Sequence, residues 1–384
     1  MYKQECFKIF TKKSIYLVFA VIVLLLVYVN QLPISMTMRE DIFEELEETW
    51  GGPVTEEKVE LAREAMYASD SGEVYTNTFE ARATDYVQFL VVGSAMQKAE
   101  QHDRMNILEE QIALYNEGTY EYKEASKELE MLEEVGDVHG FYLIQSWLEM
   151  FEFIEPVTHV LILSIILLIG LTPVFSEEYS SQSLDLILAT KHGKAKLVTA
   201  KILASITYIA IVFLSLHLIN TILNLVKFGG AAGWNAPIQG ISEGFDTHSL
   251  ISYDSSPYSM DVWQFYLLSL VLQLLACIAV GMLVLFLSFL TKNTMITFFI
   301  SGIIMAIPVL LQQLGITRGI FSYLIHFSYT ELIKVSSMFT QFRAFNVFGY
   351  PVLYPTLIFI LFAVITSLLI FVTYDLFRKQ QVGN

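Results

Sequence analysis

Residues 173–201 read PVFSEEYSSQSLDLILATKHGKAKLVTAK, and the parsing of the whole chain depends on them. They lie between two apolar runs, Val157 to Phe175 and Ile202 to Val226, and gather Lys191, Lys194, Lys196 and Lys201 around His192. Basic loops between apolar runs stay on the cytoplasmic side, so the positive-inside rule places this one there. Ser176 is positioned to cap a helix with Glu177 and Glu178 in its first turn, Lys191 and His192 in its last, and Gly193 at its close. Leu184, Ile187, Leu188 and Lys191 fall three and four residues apart as a narrow stripe, while Glu178, Ser181, Gln182 and Asp185 stay polar. Such a stripe needs a partner, which is either the headgroups of its own membrane or another protein.

An apolar span ending in a glutamate, a Leu-rich amphipathic helix, a basic turn and a second span opening on Ala-Lys resemble the cytoplasmic loop of type-2 ABC exporter permeases. Glu177 or Glu178, Leu184, Leu188 and Lys201 match that loop in kind, whereas Thr190 to Gly193 lack the proline-containing turn of many relatives. The resemblance implies that residues 176–193 are a coupling helix, seated in a groove of a separate nucleotide-binding subunit whose ATP-driven closure it passes on. Glu177, Glu178, Leu184, Ile187, Leu188 and Lys191 are then the ATPase-coupling residues. On the same reading ATP and Mg belong to that ATPase subunit and no cofactor to this chain. A second permease copy or a paralogue completes the pathway.

Hydropathy and charge have separate origins. Over 384 residues the chain is 54% hydrophobic with a mean hydropathy of +0.52, values of a multi-span membrane protein. Its net charge of -16 is local: between Ser35 and Glu155 stand 29 Asp and Glu against 8 Lys and Arg, and the remainder is slightly basic. An acidic insert of that kind argues against its binding nucleic acid or anionic lipid directly. Cys6 and Cys277 lie far apart, which gives no disulfide framework.

In chain order, Lys3, Lys8, Lys12 and Lys13 against Glu5 fix the amino terminus in the cytoplasm, and Ser14 to Val29 follows as an uncleaved first span. Residues 35–153 form an extracytoplasmic acidic domain with helical periods: one helix from Thr55, one or two over Phe79 to Asn116, one over Tyr120 to Glu134. Phe141 to Glu155 reads as a helix feeding the second span, Pro156 to Phe175. Ile202 to Val226 is the third span, with His217, Asn220 and Asn224 on one face near its outer end. These residues either bond neighbouring helices or line a pathway, together with Gln273 of the fourth span and Gln312 and Gln313 of the fifth. Lys227 to Val262 reads as an external, mostly irregular loop. Trp263 to Leu290, Thr294 to Leu314 and Val352 to Tyr374 are the remaining spans, with a cytoplasmic tail after the last. Between the fifth and sixth, Ile316 to Pro351 is too apolar for a free loop and interrupted by Arg318, His326, Glu331, Lys334 and Arg343, which suits two short interfacial or re-entrant helices.

The expected fold is therefore an all-α membrane protein. Residues 1–34 carry the first of six transmembrane helices, 35–153 the external domain, and 154–384 helices two to six. Gly193-Lys194 is the only Gly-Lys pair, and Leu188 stands where a phosphate loop needs its first glycine, so this chain is read as a transport subunit rather than an ATPase. No compact metal-ligand or nucleophile spacing occurs, so no metal site and no catalytic residue is expected. Exported antimicrobial peptides, lipids or drugs fit the reading, and membrane lipid is its surrounding. Two alternatives remain: a mechanotransmission permease acting on an external partner, and a membrane-anchored sensor or scaffold with an external ligand-binding domain.

Overall fold

A computed structural model describes residues 1–31, 40–70, 78–154, 156–180, 194–241 and 252–379. Most of these are helical. Four long helices, α10 (Ala195–Lys227), α11 (Val262–Thr291), α12 (Thr294–Gln313) and α16 (Tyr354–Lys379), are apolar enough to cross a membrane, as is the run Val157–Tyr179. That makes five, or six if α1 (Tyr2–Phe10) and α2 (Lys13–Gln31), which meet at a 59° bend, count as one broken span. The arrangement is that of an all-α membrane-type bundle, because a helix satisfies its own backbone where no water can.

The run Val157–Tyr179 is jointed. α8 (Val157–Leu171) stops before Pro173, which has no N–H to donate, and α9 (Pro173–Ser180) restarts with that proline at its first position. Ser288 Oγ of α11 closes the gap, accepting from the N–H groups of Phe175 and Ser176 at 3.2 and 3.1 Å and donating to the Thr172 carbonyl at 2.7 Å. The expectation that a helix starts at a Ser176 cap is corrected. Ser176 sits inside α9, and its hydroxyl donates to the Thr172 carbonyl. Leu184, Ile187, Leu188 and Lys191 lie outside the described residues. On the far side of that gap α10 begins at Ala195, ahead of the expected Ile202, and buries Leu197, Val198 and Lys201 in its first turns.

Small residues let the bundle close. A Cβ on Gly170 of α8 would lie 2.3 Å from the Tyr208 ring of α10, and the Tyr208 hydroxyl donates to the Ile166 carbonyl at 2.7 Å. Gly281 of α11 meets Ile209 and Leu171 in the same way.

The acidic segment carries α3 (Glu40–Trp50), α4 (Glu56–Asp70), α5 (Phe79–Leu114) and α6 (Tyr120–Val135). α5 is one continuous helix capped by the Thr78 hydroxyl. Leu46, Trp50, Val54, Ala62, Ala83, Val87, Val91, Phe141 and Leu143 form its core. Phe141 is not helical, contrary to expectation: β1 (Gly52–Pro53) pairs with β2 (Gly140–Phe141), and α7 (Gln145–Ile154) starts only afterwards. Gly140 permits the pairing, since a Cβ there would stand 2.1 Å from the Gly52 carbonyl oxygen. From Ile144 onward, Trp147, Leu148, Met150 and Phe151 pack instead with the spanning helices. Met131 of α6 also joins that larger cluster, so the acidic segment packs on the spanning helices as well as on itself.

Two connections differ from their expected form. The segment after α10 is irregular but not free, because Ile238, Ile241 and Tyr253 are fully buried within the bundle's core. After α12 come three short helices, α13 (Ile320–His326), α14 (Tyr329–Lys334) and α15 (Ser336–Phe339), and then an antiparallel hairpin of β3 (Ala344–Val347) and β4 (Tyr350–Leu353). Phe348 and Gly349 at its tip both have positive φ, the geometry that matches the twist of a two-residue hairpin turn. The hairpin leans on the acidic domain: Lys123 Nζ of α6 donates to the Gly349 carbonyl at 3.1 Å and lies 4.0 Å from the Tyr350 ring centre.

Candidate functional site

Glu5 and Ile9, four residues apart on α1, are the buried residues of that helix. They turn it against α10, where Lys201 is only 1% exposed. Lys201 Nζ lies 2.9 Å from Glu5 Oε2 and 2.9 Å from Glu178 Oε1 on α9, and donates to the Val174 carbonyl at 2.6 Å. Lys8 Nζ donates to Glu5 Oε1 and Glu178 Oε1, both at 2.7 Å. Two carboxylates and two ammonium groups, from three helices, therefore make an electrically neutral ring. Neutrality matters because a buried charge without a partner costs several kcal/mol.

Burial alone pushes the Glu5 carboxyl up, but Lys201 and Lys8 outweigh it and hold the group below the ordinary carboxylate value. Burial likewise works against the charged Lys8, and its bonds to Glu178 and Glu5 outweigh that and raise it. Further out, Lys12 Nζ meets Glu177 Oε2 at 2.6 Å, with the Glu177 side chain 62% exposed. A pair so exposed contributes about 1 kcal/mol or less. Both acids expected to contact an ATPase are thus bonded to the amino-terminal segment of their own chain, Glu178 to α1 and Glu177 to Lys12 just after it. The ring ties the end of α9 to the start of α10, the two helix ends that flank residues 181–193. Lys201 was legible as a match within the loop pattern. Glu5 and Lys8 were not singled out, although an i,i+3 Glu–Lys pair inside a basic run was the available signal.

The polar residues expected along a pathway fall into separate groups. His217, Asn220 and Asn224 are all buried on one face of α10. His217 packs tilted against the Phe213 ring, centres 4.1 Å apart, and lies 5.2 Å, ring centre to ring centre, from His159. Asn220 Nδ2 donates to the Met150 carbonyl at 3.4 Å, and Asn224 Nδ2 to Asn220. Gln273 donates to the carbonyls of Ile154 and Ile333, joining the ends of α7 and α14. Gln312 stands apart with a different set: its Nε2 donates to Glu331 Oε1 at 2.9 Å, its Oε1 accepts from Lys334 at 2.7 Å, and Ser337 also donates to Glu331. Gln313 is exposed. Among the described residues no group of three or more His, Cys, Asp or Glu has the spacing to hold a metal ion.

The fold and the ring define a helical, membrane-type bundle whose basic end is strapped by an amphipathic helix and whose other end carries an acidic helical domain. Comparison with protein-family models, with curated proteins and with solved structures finds no match to this chain.

Proposed function

We propose that this chain is the membrane-spanning permease subunit of an ATP-driven exporter of the type-2 ABC class, its basic end in the cytoplasm. The observation that carries the reading is the charged ring of Glu5, Lys8, Glu178 and Lys201. Residues 181–193 are the segment on which a partner ATPase would push. Because α9 and α10 are joined to each other and to α1, a displacement of that segment moves three helices as one body. A loop whose two ends were free to part would absorb the same push locally.

In this mechanism ATP and Mg are held by the separate subunit, and Leu184, Ile187 and Leu188 supply the apolar contact with it. Two copies of the permease, or one copy and a paralogue, enclose the route. A second reading, mechanical transmission to an external partner, is favoured by one contact. Lys123 joins the acidic domain to the hairpin that runs directly into α16, so movement of that helix is passed outward.

The test is affinity purification of the tagged full-length chain from its native membranes. A co-purifying subunit with ATPase activity is expected, and Leu184→Asp or Leu188→Asp should remove it while leaving membrane insertion intact. Wild-type chain that brings down no ATPase, or variants that retain it in full, would overturn the reading.

A further inference from the structure

α1 and the first turn of α10 enclose a groove of about 660 Å³ at the basic end of the bundle. Met1 and Phe7 make its apolar wall over the buried Leu197, and Lys3, Gln4 and Lys8 its polar rim, together with the Glu5 carboxylate, which is already paired with Lys8 and Lys201. Lys3 and Phe7 are four residues apart on α1, so the ammonium and the ring stand on one helix face. Phe7 is 70% exposed, which is unfavourable in water but ordinary where an interfacial helix sinks its apolar side into the acyl boundary. The 59° bend before α2 supplies that placement: as α2 enters the bilayer, α1 is turned away from the span's direction toward the membrane surface. Lys3 makes no ion pair with any described residue, whereas the neighbouring Lys8 is held by Glu5 and Glu178.

We infer that this groove binds the headgroup of an anionic phospholipid. The phosphate lies against Lys3 and the one N–H of the half-exposed Lys8 that is not donated to Glu5 or Glu178, and the upper acyl chain runs along Met1 and Phe7. A soluble anion satisfies the lysines but leaves the apolar wall wet, and a zwitterionic lipid covers the wall but brings a choline that repels Lys3. Only a lipid that is both anionic and amphiphilic meets both halves of the groove. The site rests on the membrane placement of α2 and not on the transport reading. Its consequence is that α1, which straps α9 to α10, is held at the surface by lipid charge as well as by its own ion pairs.

Full-length protein in mild detergent, titrated with phosphatidylglycerol or phosphatidylcholine and read by native mass spectrometry, tests the proposal. Phosphatidylglycerol adducts should dominate. Lys3→Gln should weaken them about fivefold, the effect of one lysine at a charged membrane surface. Phe7→Ser should weaken both lipids, and Lys379→Gln, at another basic end position, should weaken neither. The melting temperature of Lys3→Gln in phosphatidylcholine should equal that of the wild type, which separates lost binding from lost folding. Equal uptake of the two lipids, or unchanged binding in Lys3→Gln, would overturn the proposal. Displacement of phosphatidylglycerol by millimolar inorganic phosphate would overturn it too, by assigning the lysines to a free anion.

Discussion

Lys201 of α10 and Glu5 of α1, 196 residues apart in sequence, form an ion pair of 2.9 Å with both side chains buried. The pair is half of a neutral set, and that sets how the site responds to substitution. Lys201→Met leaves Glu5 and Glu178 facing one another with Lys8 alone between them, an excess negative charge in a closed space. The expected cost is about 3–5 kcal/mol. Adding Glu5→Gln restores neutrality through Glu178 and Lys8, so the double variant should be more stable than the sum of the two single losses. Thermal unfolding of the four proteins in one detergent checks this. Strictly additive losses would show that the groups act independently.

His139 gives a pH response on the acidic domain. Burial depresses its pKa, helped by Lys98 and opposed by Asp137, while its Nε2 bonds Gln101 Oε1. A depressed folded value means the neutral ring is the folded form. Its stabilisation is complete above the unfolded value near 6.5 and lost as pH falls from there through the folded value. The melting temperature should therefore drop as pH goes from about 7 to about 5, and His139→Gln should flatten that drop. Parallel pH profiles for the two proteins would rule the histidine out.

Gly170 is the contact point of α8 with α10. Gly170→Ala places a methyl 2.3 Å from the Tyr208 ring and must push the helices apart, at about 1–3 kcal/mol. Tyr208→Ala removes the obstacle, so the Gly170→Ala change should cost much less on that background. A double-mutant cycle on melting temperature decides the matter, and a cost unchanged by Tyr208→Ala would place the strain elsewhere.

The proposed orientation, with the basic end of the bundle in the cytoplasm, is open to labelling. In a background with the free Cys6 and Cys277 replaced by serine, cysteines at Glu110 and Ser255 should react with an impermeant thiol reagent on intact cells. Cysteines at Lys292 and Lys379 should react only after permeabilisation. The opposite pattern would invert the orientation and with it the proposed docking side.

The long apolar helices were legible because each is a run of apolar residues, a signal carried by consecutive positions. The charged ring was not, since Glu5 and Lys201 meet through the tertiary fold and neither has a local signature beyond being a charge near apolar neighbours. The Ser176 cap was misread because Pro173, three residues earlier, starts a helix at least as well and Ser288 compensates the break from a distant helix. The hairpin after α15 escaped because Phe348, a bulky residue at positive φ, is not a turn residue by type, and Gly349 alone does not announce one. Between α10 and α11 the glycines and prolines did indicate irregular backbone. What they hid was that Tyr253 and Tyr258 anchor it in the core.

The joint at Pro173 puts the direction of α9 under the control of α11. Backbone bonds missing at the break are replaced by one hydroxyl, Ser288, so α9 has no continuous ladder to hold it in line with α8. A rotation of α11 about its own axis would carry the Ser288 oxygen sideways, and with it both the Thr172 end of α8 and the start of α9. α9 is then steered from both ends, by the Ser288 hydroxyl at its start and by the charged ring that fixes its tip to α1 and α10.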